Sequence, residues 1–159
     1  ISIENFSWND IVIKNVAIKS GIVEQDPHEQ NIRKALNFGH TIGHAVETYF
    51  LNKPHKKLLH GEAVAVGMIC ESFISLQLNL LSEKELNNIQ KTILHYFTLP
   101  NLPKSAFMQI TNLISHDKKN DSNQNRFSLL NDIGNYSINN SVKDMLITKS
   151  LNYYNSLLK

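Results

Sequence analysis

Arg33-Lys34-Ala35-Leu36-Asn37-Phe38-Gly39-His40-Thr41-Ile42-Gly43-His44-Ala45-Val46-Glu47 is the stretch from which the rest of the chain can be read. At about 100° per residue, a helix running through it places Arg33, Asn37, His40, His44 and Glu47 on one stripe, at spacings of four, three, four and three. Ala35, Phe38, Ile42, Ala45, Val46 and Tyr49 gather on roughly the opposite side, where a helix buries its apolar face. A solvated face is usually built from Lys, Glu and Gln, good helix formers, rather than from Asn and paired His. The stripe therefore reads as a site, against the plainer alternative of polar-face or hydrogen-bonded core histidines. Gly39 and Gly43 each weaken a helix by about 1 kcal/mol relative to Ala. That cost makes sense if another backbone or a ligand comes close.

Composition narrows the classes. A chain of 159 residues with 42% hydrophobic content is one domain, or most of one, with enough length to bury a substantial core. The net charge is +2, and no long basic tract offers a footprint for a phosphate backbone, so nucleic acid is not expected as a partner. No apolar run reaches the roughly 18 residues of a membrane span, and nothing resembles a signal peptide, so a soluble, cytoplasmic protein is expected, without a membrane partner. The single cysteine, Cys70, reads as a small buried hydrophobe. The chain starts Ile1-Ser2-Ile3 without an initiator Met, as a piece of a longer protein would.

Working outward, a helix is expected through Asp10 to about Gln25, capped by Ser7 or Asn9, with a broad buried side made by Val12, Val16, Ile18, Ile22 and Val23. Lys19 stands at its apolar margin, where a snorkelling lysine is the plain reading. Asp26-Pro27 ends that helix, and a polar turn, His28 to Asn31, leads into the central one, which runs on to Tyr49 or Leu51. After a loop at 52–57, Ala63 to Leu81 is too apolar all round for a surface helix and reads as the buried centre. His60 sits at its start, where the helix dipole favours a neutral imidazole, the form that binds metal. Ser82 and Glu85 have capping-box spacing for a helix to about Phe97. A short helix at 105–115, a polar loop at 116–125, a strand at 126–134 with a partner at 135–138, and a helix at 141–158 complete a mainly α, multi-helix domain with a small β-hairpin near the C-terminus.

With His40, His44 and His60 in place, the chain resembles 3-dehydroquinate synthase, of the sugar-phosphate cyclase superfamily, in its C-terminal domain. The resemblance is carried by Leu36 to Glu47, by Leu59-His60-Gly61-Glu62-Ala63-Val64-Ala65-Val66-Gly67-Met68, and by Lys19, the 26–33 turn, Asp117-Lys118-Lys119 and 126–134 in order. It implies that residues 1–159 are a C-terminal metal- and substrate-binding helical domain, with the N-terminal NAD-binding domain absent from this chain. It implies His40 and His60 as metal ligands and His44 as a catalytic histidine beside the substrate. Lys19, Glu29, Arg33, Asn37 and Lys118 or Lys119 would then hold a small phosphorylated sugar-acid substrate. The implied cofactors are a divalent metal, zinc first and cobalt as the alternative, and NAD.

The implied reaction takes 3-deoxy-D-arabino-heptulosonate 7-phosphate to 3-dehydroquinate and phosphate in the shikimate pathway, by a full-length homodimer. The family's third metal ligand, a glutamate, lies in a stretch upstream of Ile1, so this chain alone is expected to be inactive. Two other functions remain open: another cyclase, of the 2-deoxy-scyllo-inosose or valiolone synthase type, or a non-catalytic metal-binding domain. By spacing alone, His40 and His44 could both bind one ion.

Overall fold

The computed structural model describes residues 7–51, 53, 57–116 and 126–158. The described residues form six α-helices, a 3-10 helix and a β-hairpin, and the most apolar segment of the chain folds as α3 (His60–Gln77), which buries Ala63, Ala65, Val66, Gly67, Ile69, Cys70, Glu71, Ser72, Ile74 and Ser75. Its capacity to bury residues all round places it at the centre, as its sequence requires. α2 (His40–Leu51), α4 (Glu83–Tyr96), α6 (Asp144–Leu157) and the first strand pack around it, and α5 (Lys104–His116) closes the core against α2 and α6. Ile42, Val46, Ile69, Ile110, Phe127, Leu129, Ile147 and Leu151 form one continuous cluster.

The capping box at the start of α4 forms as expected, Ser82 Oγ accepting from Glu85 N at 3.3 Å and Glu85 Oε2 from Ser82 N at 3.0 Å. β1 (Arg126–Asp132) and β2 (Asn135–Ser141) pair antiparallel, with irregularities after Phe127 and Leu130. Gly134, at φ +108°, makes the turn between them. Ser128 Oγ donates to Lys34 O at 2.6 Å and fastens the hairpin to the segment that precedes α2.

Two expectations fail. The stripe is not carried by one helix: Ile32–Asn37 is a 3-10 helix, Phe38 is extended at ψ 127°, and Gly39 turns left-handed at φ +82° before α2 begins. The break follows from crowding by α3. A Cβ on Gly39 would lie 3.0 Å from both Val64 O and Met68 N, and one on Gly43 would lie 3.0 Å from Val64 Cα. Gly67 lies against Gly39 O and Gly43 N from the other side. The glycines are where two backbones meet, as their helix-weakening cost suggested.

The second failure is the buried side of α1 (Trp8–Gln25). α1 has no buried residue, and Trp8, Val12, Ile13, Val16 and Ile18 are exposed, Trp8 at 76%. Among the described residues α1 packs chiefly on the 3-10 helix, and no element covers its apolar stripe. No helix is long and apolar enough to cross a membrane, among the described residues.

Candidate metal and substrate site

The close approach of α2 and α3 determines where the histidines stand. His40 is the first residue of α2, His44 lies one turn on, and His60 is the first residue of α3. Their ring centroids form a near-equilateral triangle, 5.3 Å from His40 to His44, 5.7 Å from His40 to His60 and 5.6 Å from His44 to His60. One nitrogen from each can be chosen so that all lie within 4.8 Å of one another. Four-coordinate zinc at Zn–N distances of about 2.0–2.1 Å sets its ligand nitrogens closer still. The donor set, imidazole nitrogen, suits zinc and its neighbours in the first transition row.

What distinguishes the three rings is the support behind them. His40 Nδ1 lies 3.3 Å from Phe38 O, and His60 Nδ1 lies 3.1 Å from Glu47 Oε2. Metal-binding histidines almost always donate their second ring N–H to such an acceptor, leaving the other nitrogen for the ion. Among the described residues, His44 has no such partner and is exposed to solvent. His40 is held below the usual imidazole pKa first by burial, against a bond to Phe38 O, and further by the nearby charges of His44, His60 and Lys19. Lys19 is thereby within electrostatic reach of the histidines, on the exposed surface of α1.

The rest of the stripe is gathered by a turn and not by a helix. Asp26, buried, accepts from the backbone N–H of Gln30 at 2.9 Å, Asn31 at 2.7 Å and Arg33 at 3.1 Å. The Gln30 N–H leads in holding its carboxyl below the ordinary value, against burial. This carboxylate shapes the loop that puts Glu29 at φ +53°. Glu29 then accepts from Asn37 Nδ2 at 2.6 Å and lies 3.8 Å from Arg33 Nε, while Arg33 donates to Pro27 O at 2.9 Å. Glu29, Arg33 and Asn37 thus meet in one cluster. Lys118 and Lys119 lie outside the described residues.

Sequence reasoning missed Glu71. It is 0% exposed, in the middle of α3, and its carboxylate accepts from Gly39 N at 2.7 Å and Ile42 N at 3.0 Å, with Thr41 N also bonded to it. These are orphan donors of the first turn of α2, so a side chain from α3 caps the helix that carries His40 and His44. Burial pushes its carboxyl up to about 8, against the opposing pull of those N–H groups. The available signal was a lone acidic residue in the apolar run between Glu62 and Glu83, since buried carboxylates are rare without partners. At the start of α3, Glu62 Oε2 accepts from Leu59 N at 2.8 Å and fixes the turn that presents His60.

Known proteins of one family match most of the chain. The family model for the C-terminal part of 3-dehydroquinate synthase matches residues 2–120. The chain is 40% identical over 151 residues to the 3-dehydroquinate synthase of Parabacteroides distasonis, covering 94% of this chain and 42% of that protein. It is 36% identical over 143 residues to that of Campylobacter fetus subsp. fetus, covering 89% and 40%. The chain therefore spans less than half the length of these curated relatives. Among solved structures, a 2-deoxy-scyllo-inosose synthase complexed with carbaglucose-6-phosphate, NAD+ and Co2+ superposes with a TM-score of 0.73 at 26% identity, over 87% of this chain and 38% of that one. A 2-epi-5-epi-valiolone synthase from Streptomyces hygroscopicus subsp. jinggangensis 5008, with NAD+ and Zn2+ bound, shares the fold at a TM-score of 0.72 and 21% identity, over 93% and 40%. The chain belongs to the 3-dehydroquinate synthase family.

Proposed function

We propose that this member of the 3-dehydroquinate synthase family is the metal- and substrate-binding part of an enzyme that takes 3-deoxy-D-arabino-heptulosonate 7-phosphate to 3-dehydroquinate and phosphate. The observation that carries the reading is the triangle of His40, His44 and His60, in which only His40 and His60 have an acceptor behind the ring among the described residues. In this reading His40 and His60 hold a divalent cation, zinc or cobalt, and His44 stays free. Bound there with open positions, the cation would polarise a substrate hydroxyl and lower its pKa.

The other roles fall to the chain's own side chains. His44, exposed beside the ligands, takes a proton from the substrate and returns it. Arg33, Asn37 and Lys19 bind the anionic groups of the substrate, and fixed cations stabilise phosphate as it leaves. Glu29 holds Arg33 and Asn37 in register, bonded to Asn37 and close to Arg33. Lys118 or Lys119 adds a further cation.

The transient oxidation and reduction belong to NAD, which in this reading is held mainly by polypeptide outside these residues. The uncovered apolar stripe of α1 supports that reading, because a surface of that kind ordinarily has a partner. The same reading makes the intact protein a cytoplasmic homodimer acting in the shikimate pathway.

Related cyclases are the competing reading, favoured by the solved structures. Identity of 36% and 40% to 3-dehydroquinate synthases, against 26% to the 2-deoxy-scyllo-inosose synthase, supports the former. The test is phosphate release by the intact polypeptide with NAD, offered heptulosonate phosphate and a panel of other sugar phosphates. Release from the heptulosonate alone is expected, and none from the 159-residue chain by itself. Preference for a different sugar phosphate, or turnover by the isolated chain, would overturn the assignment.

A further inference from the structure

We propose that Glu47 is a positioning residue for the metal site: it holds His60 in the tautomer that carries its proton on Nδ1 and so directs Nε2 to the cation. The inference rests on the reading of His40 and His60 as ligands. Glu47 lies two turns beyond His40 and one turn beyond His44 on α2, and its Oε2 reaches 3.1 Å across to Nδ1 of His60 on α3. A carboxylate is an acceptor only. Whatever the charge of the imidazole, the atom facing Glu47 must therefore be the N–H, and the lone pair of a neutral ring must be on the other nitrogen. His60 needs this more than His40 does. Its side chain is 55% exposed, and among the described residues no core packing fixes the ring.

The side chain of Glu47 is itself only 26% exposed, so the contact is partly sheltered. One carboxylate thus links the two helices that contribute ligands, and it orients the ligand that is otherwise least restrained. Glu62 serves the start of its own helix, its Oε2 accepting from Leu59 N at 2.8 Å.

The test uses the intact polypeptide with zinc, its dissociation constant read by competition with a chromophoric chelator, and with cobalt, whose visible absorption reports ligand geometry. Glu47→Ala should weaken zinc by about 10-fold or more, the lower end of what loss of such an acceptor does to metal sites, and should change the cobalt spectrum. Glu47→Gln retains a neutral acceptor and should fall between wild type and the alanine variant. Melting of the metal-free protein should be the same in all of them. Zinc affinity within twofold of wild type in Glu47→Ala would overturn the inference, and so would a metal-free melting temperature that falls in step with affinity. Failure of the wild type to bind either metal, with His60→Ala behaving alike, would instead overturn the reading of the site itself.

Discussion

Replacing Glu71 tests how α2 is held over the site. Its carboxylate serves the N–H groups of Gly39, Thr41 and Ile42, and the side chain is wholly enclosed. Glu71→Ala leaves those donors unpaired at about 1–3 kcal/mol each, offset where water enters the cavity, so a loss of about 3–5 kcal/mol is expected. That is a large share of the ~5–15 kcal/mol that holds a domain together. Glu71→Gln keeps one acceptor oxygen and turns an NH2 toward the other donors, costing about 1–3 kcal/mol. The pH dependence follows from the raised pKa. Between the ordinary value of 4.5 and the folded value of about 8, the unfolded chain has lost the proton that the folded chain keeps. The wild type therefore loses stability as pH rises through that window, by at most ~1.4 kcal/mol per pH unit. The glutamine variant lacks this term, so its deficit should shrink from pH 5 to pH 8. Urea unfolding of wild type and both variants at several pH values measures it. A deficit that stays constant or grows with pH would mean that the three N–H donors outweigh burial and keep Glu71 ionised. An alanine variant within about 1 kcal/mol of wild type would show that the cap carries no weight.

Other outcomes follow from the same contacts. Gly67→Ala sets a methyl against Gly39 O and 2.7 Å from Gly43 N; backbone cannot yield as a side chain can, and a loss of ~3 kcal/mol is expected by denaturation. Gly61→Ala meets nothing within 4 Å and should be neutral or stabilising by up to ~1 kcal/mol, so equal effects at the two glycines would refute the close crossing. Arg33→Ala in the intact enzyme should weaken substrate binding by ~2 kcal/mol, about 30-fold; an unchanged Michaelis constant and rate would show that Arg33 serves only the loop through Pro27 and Glu29.

The candidate site was legible because its residue types were wrong for a solvated helix face. Asn37, His40 and His44 stood out by chemistry, and the structure brings His40, His44 and His60 together although the helix assumed for the stripe is broken. The break at Phe38–Gly39 was hidden because local pattern continues through it; what interrupts it is the backbone of α3, a contact distant in sequence. The same distance hid Glu71, whose partners are about thirty residues away. Glu29, Arg33 and Asn37 meet through a turn organised by Asp26, a residue read from sequence only as a helix stop. The exposed stripe of α1 shows the converse limit: periodicity says that Val12, Val16 and Ile18 share a side, not that anything covers it.

The central claim, that α2 and α3 present a metal site with His40 and His60 as ligands and His44 beside it, is tested most directly by metal content. Elemental analysis of the purified intact polypeptide should find zinc lost from His40→Ala and from His60→Ala, and retained near one equivalent in His44→Ala, which loses rate. Zinc lost from the His44 variant and kept in the His40 variant would reverse the assignment, and zinc kept in all three would contradict the site.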